Sequence, residues 1–280
     1  MGEISFQGRS LAYSTFGSVA RFLDAPSFVV LSTEYRDTTT VADFYAQFPG
    51  TIGGVVLDNT NMGQSSRLER PLTPEEVLAE VRCACSGLGI RHPVIVGYCS
   101  NAELALYVAH HLGACPAVLQ SPLVRQRDSG FIDFFYGAMK KAILSADAYM
   151  LAVVMNLVDP HGRGFREDRN YFLSDQFALA AFLREPEHFW VKTQQNKPVG
   201  RFEWEKMREF AGPALVLRGT QDPIQPISFL RSCLTEPRHE LVEVDNSHRL
   251  LEDRLDEVID HMSVFAASLP RPECAVRLEA

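Results

Sequence analysis

The residue types needed for nucleophilic acyl chemistry occur at Cys99, Asp222 and His248. Each of the three follows, within a few residues, a short apolar segment that is typical of a buried strand. A cysteine next to a histidine attacks acyl carbon as a thiolate, and a carboxylate can hold the histidine in the required tautomer and orientation. We therefore predict that Cys99 is the nucleophile, His248 its base and Asp222 the residue that orients His248.

The segment around Cys99 predicts a tight turn from a strand into a helix. A side chain at the apex of such a turn projects above the sheet, and the residues two before and two after it must be small. Gly97 meets this condition, and Asn101 meets it in part because asparagine tolerates unusual backbone angles. A turn centred on Ser100 would place Tyr98 at a tight position, so Cys99 is the better nucleophile.

Each candidate also has an ordinary structural explanation. A free cysteine is most often a small buried apolar residue, Asp222 could be a turn residue, and His248 could simply mark the entry to a helix. The catalytic interpretation is favoured because all three types occur together, each just past a strand end.

The elements that must position these residues alternate between strands and helices. A hairpin is predicted over residues 3–7 and 10–16, and a capping box at Thr73 begins a helix over 73–88. An amphipathic helix is predicted over 250–267. Further apolar strands are predicted at 27–32, 54–58, 93–98, 115–119, 214–219 and 240–244. This alternation predicts an α/β fold with a mostly parallel sheet flanked by helices.

Residues 122–210 interrupt the alternation with a long, aromatic-rich stretch. Connections between neighbouring sheet strands are normally much shorter. We predict an inserted helical cap over 122–210, and a core made of residues 1–121 and 211–280.

Composition excludes several function classes. The chain has 280 residues and a formal charge of −8, which argues against a general nucleic-acid binder. No apolar run is long enough for a membrane span, and the first residues lack a signal-peptide pattern. The six cysteines are scattered without zinc-site spacing, so we expect reduced thiols, no metal and a cytoplasmic location.

On these residues the sequence resembles the α/β-hydrolase superfamily, over nearly its whole length. The order of Cys99, Asp222 and His248 along the chain is the order of nucleophile, acid and base in that superfamily. The resemblance implies an α/β-hydrolase fold with an inserted cap.

A second segment, over residues 55–65, is similar to the superfamily's strand followed by D-x-R-G-x-G-x-S. Asp58, Gly63 and Ser65 match this pattern. Thr60 and Asn61 stand where arginine and glycine are usual.

The resemblance also implies an oxyanion hole made by two backbone amides. One amide belongs to the residue after the nucleophile, here Ser100. The other usually lies in a His-Gly segment after the third strand, which is replaced here by Thr33-Glu34-Tyr35. The second donor is therefore expected at Glu34 or Tyr35.

Cysteine in place of the more usual serine changes the expected chemistry. Because a cysteine acyl-enzyme is itself a thioester, exchange with another thioester is nearly isoenergetic and reversible. The chain thus resembles cysteine-dependent acyltransferases that move acyl or aminoacyl groups between carrier-protein thiols in natural-product pathways. That resemblance implies acyl or peptidyl carrier proteins as partners and a substrate carried on phosphopantetheine, with no bound cofactor.

Basic residues in or near the cap could contact an acidic carrier or the pantetheine phosphate. These residues are Arg125, Arg127, Lys140, Lys141, Arg163, Arg166 and Arg169. Acidic residues are interleaved with them, so an ordinary solvated surface is the alternative.

Two other functions stay open. The first is a thioesterase or dienelactone-type hydrolase with the same three residues, in which water accepts the acyl group. The second is a binding protein of the same fold that has lost turnover, since the segments at Thr33 and Asn101 depart from the usual pattern.

Overall fold

A computed structural model describes residues 1–18, 22–33, 36–123, 130–156, 182, 185–197, 204–222 and 227–270. Within these residues, eight strands form one sheet in the order β1-β2-β4-β3-β5-β6-β7-β8. The strands are β1 (Gly2–Phe6), β2 (Arg9–Gly17), β3 (Ser27–Leu31), β4 (Gly53–Leu57), β5 (Pro93–Tyr98), β6 (Ala117–Gln120), β7 (Ala214–Gly219) and β8 (His239–Val244). Neighbouring strands from β4 to β8 pair in parallel, and β2 pairs antiparallel with both β1 and β4. The predicted α/β class is confirmed.

The helices flank the sheet and are numbered here in chain order. They are α1 (Ala42–Tyr45), α2 (Pro74–Leu88), α3 (Ala102–His111), α4 (Gly130–Leu144), α5 (Ala148–Asn156), α6 (Pro186–Asn196), α7 (Ile227–Cys233), α8 (Leu250–Asp253) and α9 (Leu255–Ser268). Short 3-10 helices cover Cys99–Asn101 and Trp204–Glu209.

Two apolar cores lie on opposite faces of the sheet. Because side chains alternate along a strand, Val55 of β4 packs with α2 and α3, whereas its neighbour Val56 packs with α1 and α9. Strands β3, β4 and β5 are buried along their whole length. This double coverage explains their continuous apolar sequences.

The start of α2 has the predicted capping box. The Thr73 side chain accepts a hydrogen bond from the Glu76 amide at 3.3 Å, and the Glu76 carboxylate accepts one from the Thr73 amide at 2.8 Å. Pro74 occupies the first helical turn, and Gly89 ends the helix in a left-handed conformation. Residues at each end of α2 therefore determine where the helix begins and ends.

The predicted single helix over 250–267 was wrong, because the segment forms two helices, α8 and α9. Arg254 separates them with φ −138° and ψ 39°, outside the helical region. Its guanidinium donates to the Asp245 carbonyl at 3.2 Å and 3.0 Å. A side-chain contact to a preceding loop thus sets a break that apolar periodicity does not reveal.

The predicted cap over 122–210 lies partly outside the described residues. Its described helices are α4, α5 and α6, and buried residues of all three pack in one apolar cluster that also contains Cys99. The division into core and cap remains a prediction. No helix among the described residues is long and apolar enough to cross a membrane.

The end of β5 supplies a stability test at Gly97. A Cβ there would lie 2.5 Å from the Ala105 Cβ and 2.9 Å from the Ala102 Cα. We expect Gly97→Ala to lower the free energy of unfolding by about 1–3 kcal/mol through overpacking. The control is Gly137→Ala in α4, where an added Cβ meets nothing within 4 Å. This substitution should raise the free energy of unfolding by about 0.5–1 kcal/mol. Urea unfolding of both variants measures this, and equal effects would refute the steric argument.

Candidate active site

The backbone at Cys99 adopts the tight turn that the sequence predicts. Cys99 has φ +49°, in the left-handed region that is strained for a residue with a side chain. The turn continues as the 3-10 helix before α3. The Leu123 amide donates to the Cys99 carbonyl at 2.9 Å, which ties the turn to the chain that leaves β6.

Asn101 fastens this turn to the neighbouring strand. Its side-chain oxygen accepts from the Tyr98 amide at 2.7 Å, and its amide group donates to the carbonyls of Leu31 and Ser32 at 2.9 Å and 3.1 Å. Asn101 is completely buried. The residue that departs from the small-residue rule therefore has a defined function, because it links the end of β5 to the end of β3.

The loops that carry Asp222 and His248 are bonded to each other. The amides of Thr220 and Gln221 donate to the carbonyls of Val244 and Asn246, both at 2.9 Å. Gly219 permits this approach, since a Cβ there would lie 2.0 Å from the Ser247 carbonyl oxygen. The turn after β7 and the turn after β8 therefore form one unit.

Within that unit, His248 and Asp222 form a buried hydrogen bond. His248 Nδ1 lies 2.8 Å from Asp222 Oδ2, and each residue is less than 5% exposed. The backbone of His248 is also held, because its carbonyl accepts hydrogen bonds from the hydroxyls of Tyr98 at 3.3 Å and Ser121 at 2.8 Å. The ring thus has a fixed position and a carboxylate on one nitrogen.

Charges at the site control the protonation of His248. Burial alone would lower the pKa of His248, but the negative charges of Asp222 and Cys99 and the hydrogen bond to Asp222 raise it well above its ordinary value. Nε2 is buried and makes no hydrogen bond of standard geometry with the described residues. Such contacts are often long before substrate binds. The site therefore favours a protonated His248 ring beside the Cys99 sulfur.

Cys99 lies at the junction between the sheet and helices α4 and α6. It is 5% exposed and belongs to an apolar cluster with Tyr98, Leu123, Phe135 and Phe189. Aromatic and aliphatic side chains therefore shield the sulfur from bulk water. A substrate group that reaches Cys99 meets apolar surroundings.

The predicted oxyanion donors are only partly within the described residues. Ser100 follows Cys99 in the 3-10 helix and is buried. Glu34 and Tyr35 lie outside the described residues. The residues that flank them are bonded to each other, because the Thr33 amide donates to the Arg36 carbonyl at 2.8 Å.

Asp58 connects Ser32 and Thr38, which follow β3, to the loop that follows β4. Its carboxylate accepts from the Ser32 hydroxyl at 2.5 Å, from the Thr38 amide and hydroxyl at 2.9 Å and 2.7 Å, and from the Gln64 amide at 3.0 Å. Burial raises the pKa of Asp58, while these hydrogen bonds act in the opposite direction. Only glycine fits at position 63, since a Cβ there would lie 2.0 Å from the Asp58 carboxylate.

The two departures from the superfamily pattern have local explanations. Asn61 has φ +78°, a conformation that asparagine tolerates where glycine is usual. Its side-chain amide also donates to Gln195 of α6 at 2.9 Å. The Thr60 amide and hydroxyl donate to the buried Glu80 carboxylate at 3.0 Å and 2.6 Å. Thr60 and Asn61 therefore stabilise the loop and its contact with α6.

Comparison with known proteins identifies the family. Residues 17–261 match the model of the alpha/beta hydrolase family. The chain belongs to this α/β-hydrolase family. No curated protein sequence matches it significantly.

Solved structures of other α/β-hydrolases share the fold. An α/β-hydrolase enzyme from a Medee basin deep-sea metagenome library has a TM-score of 0.74 at 15% identity, covering 96% of this chain and 98% of its own. The enol-lactonase from Burkholderia xenovorans LB400 has a TM-score of 0.74 at 17% identity, covering 95% and 100%. An esterase from Exiguobacterium antarcticum has a TM-score of 0.72 at 12% identity, covering 96% and 100%. The predicted α/β-hydrolase fold is confirmed.

Some residues at the site were missed by sequence reasoning. Tyr98 and Ser121 hold the His248 backbone, yet neither belongs to a motif. Asn101 was noted only as an imperfect small residue. The hydrogen bonds of all three residues join segments far apart in the chain, so no local pattern could have indicated them. In the described part of the chain, no group of three or more His, Cys, Asp or Glu side chains could hold a metal ion.

The electrostatics of the site predict how His248 titrates. We expect its midpoint to lie well above 6.5, and to fall in both Asp222→Asn and Cys99→Ala, because each removes a negative charge that raises the pKa. NMR titration of the histidine ring protons measures this. His239 is the internal control, since burial lowers its pKa and its midpoint should not move. If the His248 midpoint is the same in both variants as in the wild type, the coupling of His248 to Asp222 and Cys99 is contradicted.

Proposed function

We propose that this α/β-hydrolase cleaves carboxylic esters or thioesters through a covalent acyl group on Cys99. The observation that carries the proposal is the buried contact between His248 and Asp222, together with the coupling of His248 to Cys99. A histidine that holds a proton next to a cysteine sulfur is the arrangement required for thiolate attack. The fold neighbours include an esterase and an enol-lactonase, which supports ester-type substrates.

In the first half-reaction, the Cys99 thiolate attacks the acyl carbon and a C–S bond forms. The carbonyl π electrons move to oxygen, where the Ser100 amide and an amide of Glu34 or Tyr35 would stabilise the charge. As the tetrahedral intermediate collapses, the bond to the leaving group breaks and His248 donates its proton to that group. Asp222 keeps the His248 ring oriented throughout.

In the second half-reaction, an acceptor gives a proton to neutral His248 and attacks the thioester carbon. The C–S bond then breaks, the acyl group leaves on the acceptor, and Cys99 returns as a thiolate beside the imidazolium. With water as the acceptor, the product is a free acid. With a thiol, it is a new thioester.

A second candidate function is acyl transfer between phosphopantetheine thiols of acyl or peptidyl carrier proteins. Two observations favour it: the nucleophile is cysteine, and an apolar cluster that excludes water surrounds it. Lys140 and Lys141 are exposed on α4 and offer positive charge to an acidic carrier. Arg125, Arg127, Arg163, Arg166 and Arg169 lie outside the described residues. This function would place the protein in the cytoplasm with its carriers.

Pre-steady-state acylation tests the roles of His248 and Asp222. With an activated aryl ester, we expect His248→Ala to slow the burst by about 10²–10⁴-fold, because the proton donor is lost. Asp222→Asn should slow it less, since the ring remains but loses its carboxylate. Arg231→Met, which changes an exposed residue outside the site, is the control. A burst that is unchanged in His248→Ala would remove His248 from the mechanism.

The fate of the acyl group separates the two candidate functions. We expect wild-type protein loaded with a labelled acyl group to release free acid faster than it loads a second, empty carrier protein. Chromatography of the label after a single turnover measures the partition. Label that passes mainly to the carrier would favour the transferase. In that case Cys99→Ser should stall, because an oxygen ester lies a few kcal/mol below the thioester and each ~1.4 kcal/mol is a tenfold change in rate.

A further inference from the structure

Arg36 is a buried cation that no step of the proposed reaction uses. It is 5% exposed. Its guanidinium carbon lies 3.4 Å from the ring centroid of Tyr98, and its guanidinium forms an ion pair with Glu252. Burying a charged pair is costly unless its geometry is well satisfied. Because of this cost, we expect a buried arginine paired in this way to have a specific function.

Both partners of Arg36 lead directly to candidate catalytic residues. Tyr98 immediately precedes Cys99, and Glu252 lies in α8, which begins two residues after His248. Tyr98 itself contacts His248, through a hydroxyl bond to its carbonyl at 3.3 Å and through rings whose centroids are 5.4 Å apart. Arg36 thus joins the segment of the nucleophile to the segment of the base.

The backbone of Arg36 is fixed to the end of β3. Its amide donates to the Thr33 hydroxyl at 3.1 Å, and its carbonyl accepts from the Thr33 amide at 2.8 Å. Asn101 ties the same strand end to the Cys99 turn. The backbone that carries the Arg36 side chain is therefore fixed, and this limits how far the guanidinium can move.

We propose that Arg36 is a positioning residue that sets the distance between the Cys99 turn and the His248 loop. The proposal rests on the proposed function, because it assumes that Cys99 and His248 exchange a proton. A guanidinium suits this role, since its planar face stacks on an aromatic ring while its edge binds a carboxylate. Lysine can keep the ion pair but not the stacking.

The charged and titratable groups around this contact include Tyr45, since Arg36 and Glu252 both act on its buried hydroxyl. Arg36, Glu252, Cys99 and Arg249 all act on the Tyr98 hydroxyl, which is buried. Removing Arg36 alone would leave Glu252, whose side chain is only 13% exposed, without the cation that compensates its charge, which by itself is destabilising. A test must therefore remove both charges together.

The main test variant is Arg36→Met with Glu252→Gln, and the conservative variant is Arg36→Lys. The control is Arg70→Met with Glu76→Gln, which removes an exposed ion pair at the start of α2 and also weakens its capping box. Thermal unfolding of each variant separates loss of stability from loss of positioning.

The decisive readout is the pH profile of Cys99 alkylation by iodoacetamide. If Arg36 holds His248 close to Cys99, the main variant loses the imidazolium–thiolate pair. Its profile should shift towards that of an ordinary thiol, and alkylation near neutral pH should fall about 10²-fold, the scale expected for a misplaced catalytic group. Arg36→Lys should shift the profile in the same direction by less. For a small aryl ester, kcat should fall while KM stays nearly constant.

The outcomes separate this proposal from the proposed function. A wild-type Cys99 that alkylates like an ordinary thiol and is never acylated would overturn both. If wild-type Cys99 reacts readily near neutral pH and the folded main variant has the same pH profile, only the role of Arg36 is overturned. An equal shift in the control variant would also overturn that role. Should the main variant not fold, Arg36→Lys decides, and an unshifted profile in that variant would overturn the proposal.

Discussion

The left-handed backbone of Cys99 at the end of a central strand is the constraint on which the rest of the site depends. Such a conformation costs of order 1–3 kcal/mol and persists only where the surroundings enforce it. Here Gly97 lets the following helix approach, Asn101 ties the turn to β3, and the Leu123 amide holds the Cys99 carbonyl. The strain at Cys99 therefore lowers the stability of the fold, and in return the turn places the Cys99 sulfur at the end of β5.

The second element of the site depends on the same sheet. Because parallel strands end at one edge, the turns after β7 and β8 lie at the same edge of the sheet as the turn after β5. Hydrogen bonds between the two turns hold Asp222 against His248, and the carboxylate in turn favours a protonated ring. Two ionic contacts, the buried one of Asp222 with His248 and the partly buried one of Arg36 with Glu252, lie close to Tyr98. Buried charges contribute little net stability, so their value here lies in fixed geometry.

Local chemistry explains which features could be predicted from the sequence. Continuous apolar runs indicated β3, β4 and β5, the capping box indicated the start of α2, and a glycine before a cysteine indicated the turn at Cys99. The break at Arg254 and the link made by Asn101 could not be predicted, because each depends on a carbonyl from a different segment. The substrate was also beyond prediction. The choice of cysteine suggested transfer between thiols, whereas the family model that the chain matches is that of the alpha/beta hydrolases.

We propose that Cys99 becomes acylated because its turn and His248 make it the reactive thiol. Brief incubation with an acyl thioester, followed by acid quench and peptide mapping by mass spectrometry, tests this most directly. We expect one acyl group, located on the peptide that contains Cys99. Cys83 is the internal comparison, since it is more accessible than the buried Cys99 but lies outside the site. An adduct on Cys83 without one on Cys99, or an equal adduct in His248→Ala, would contradict the account.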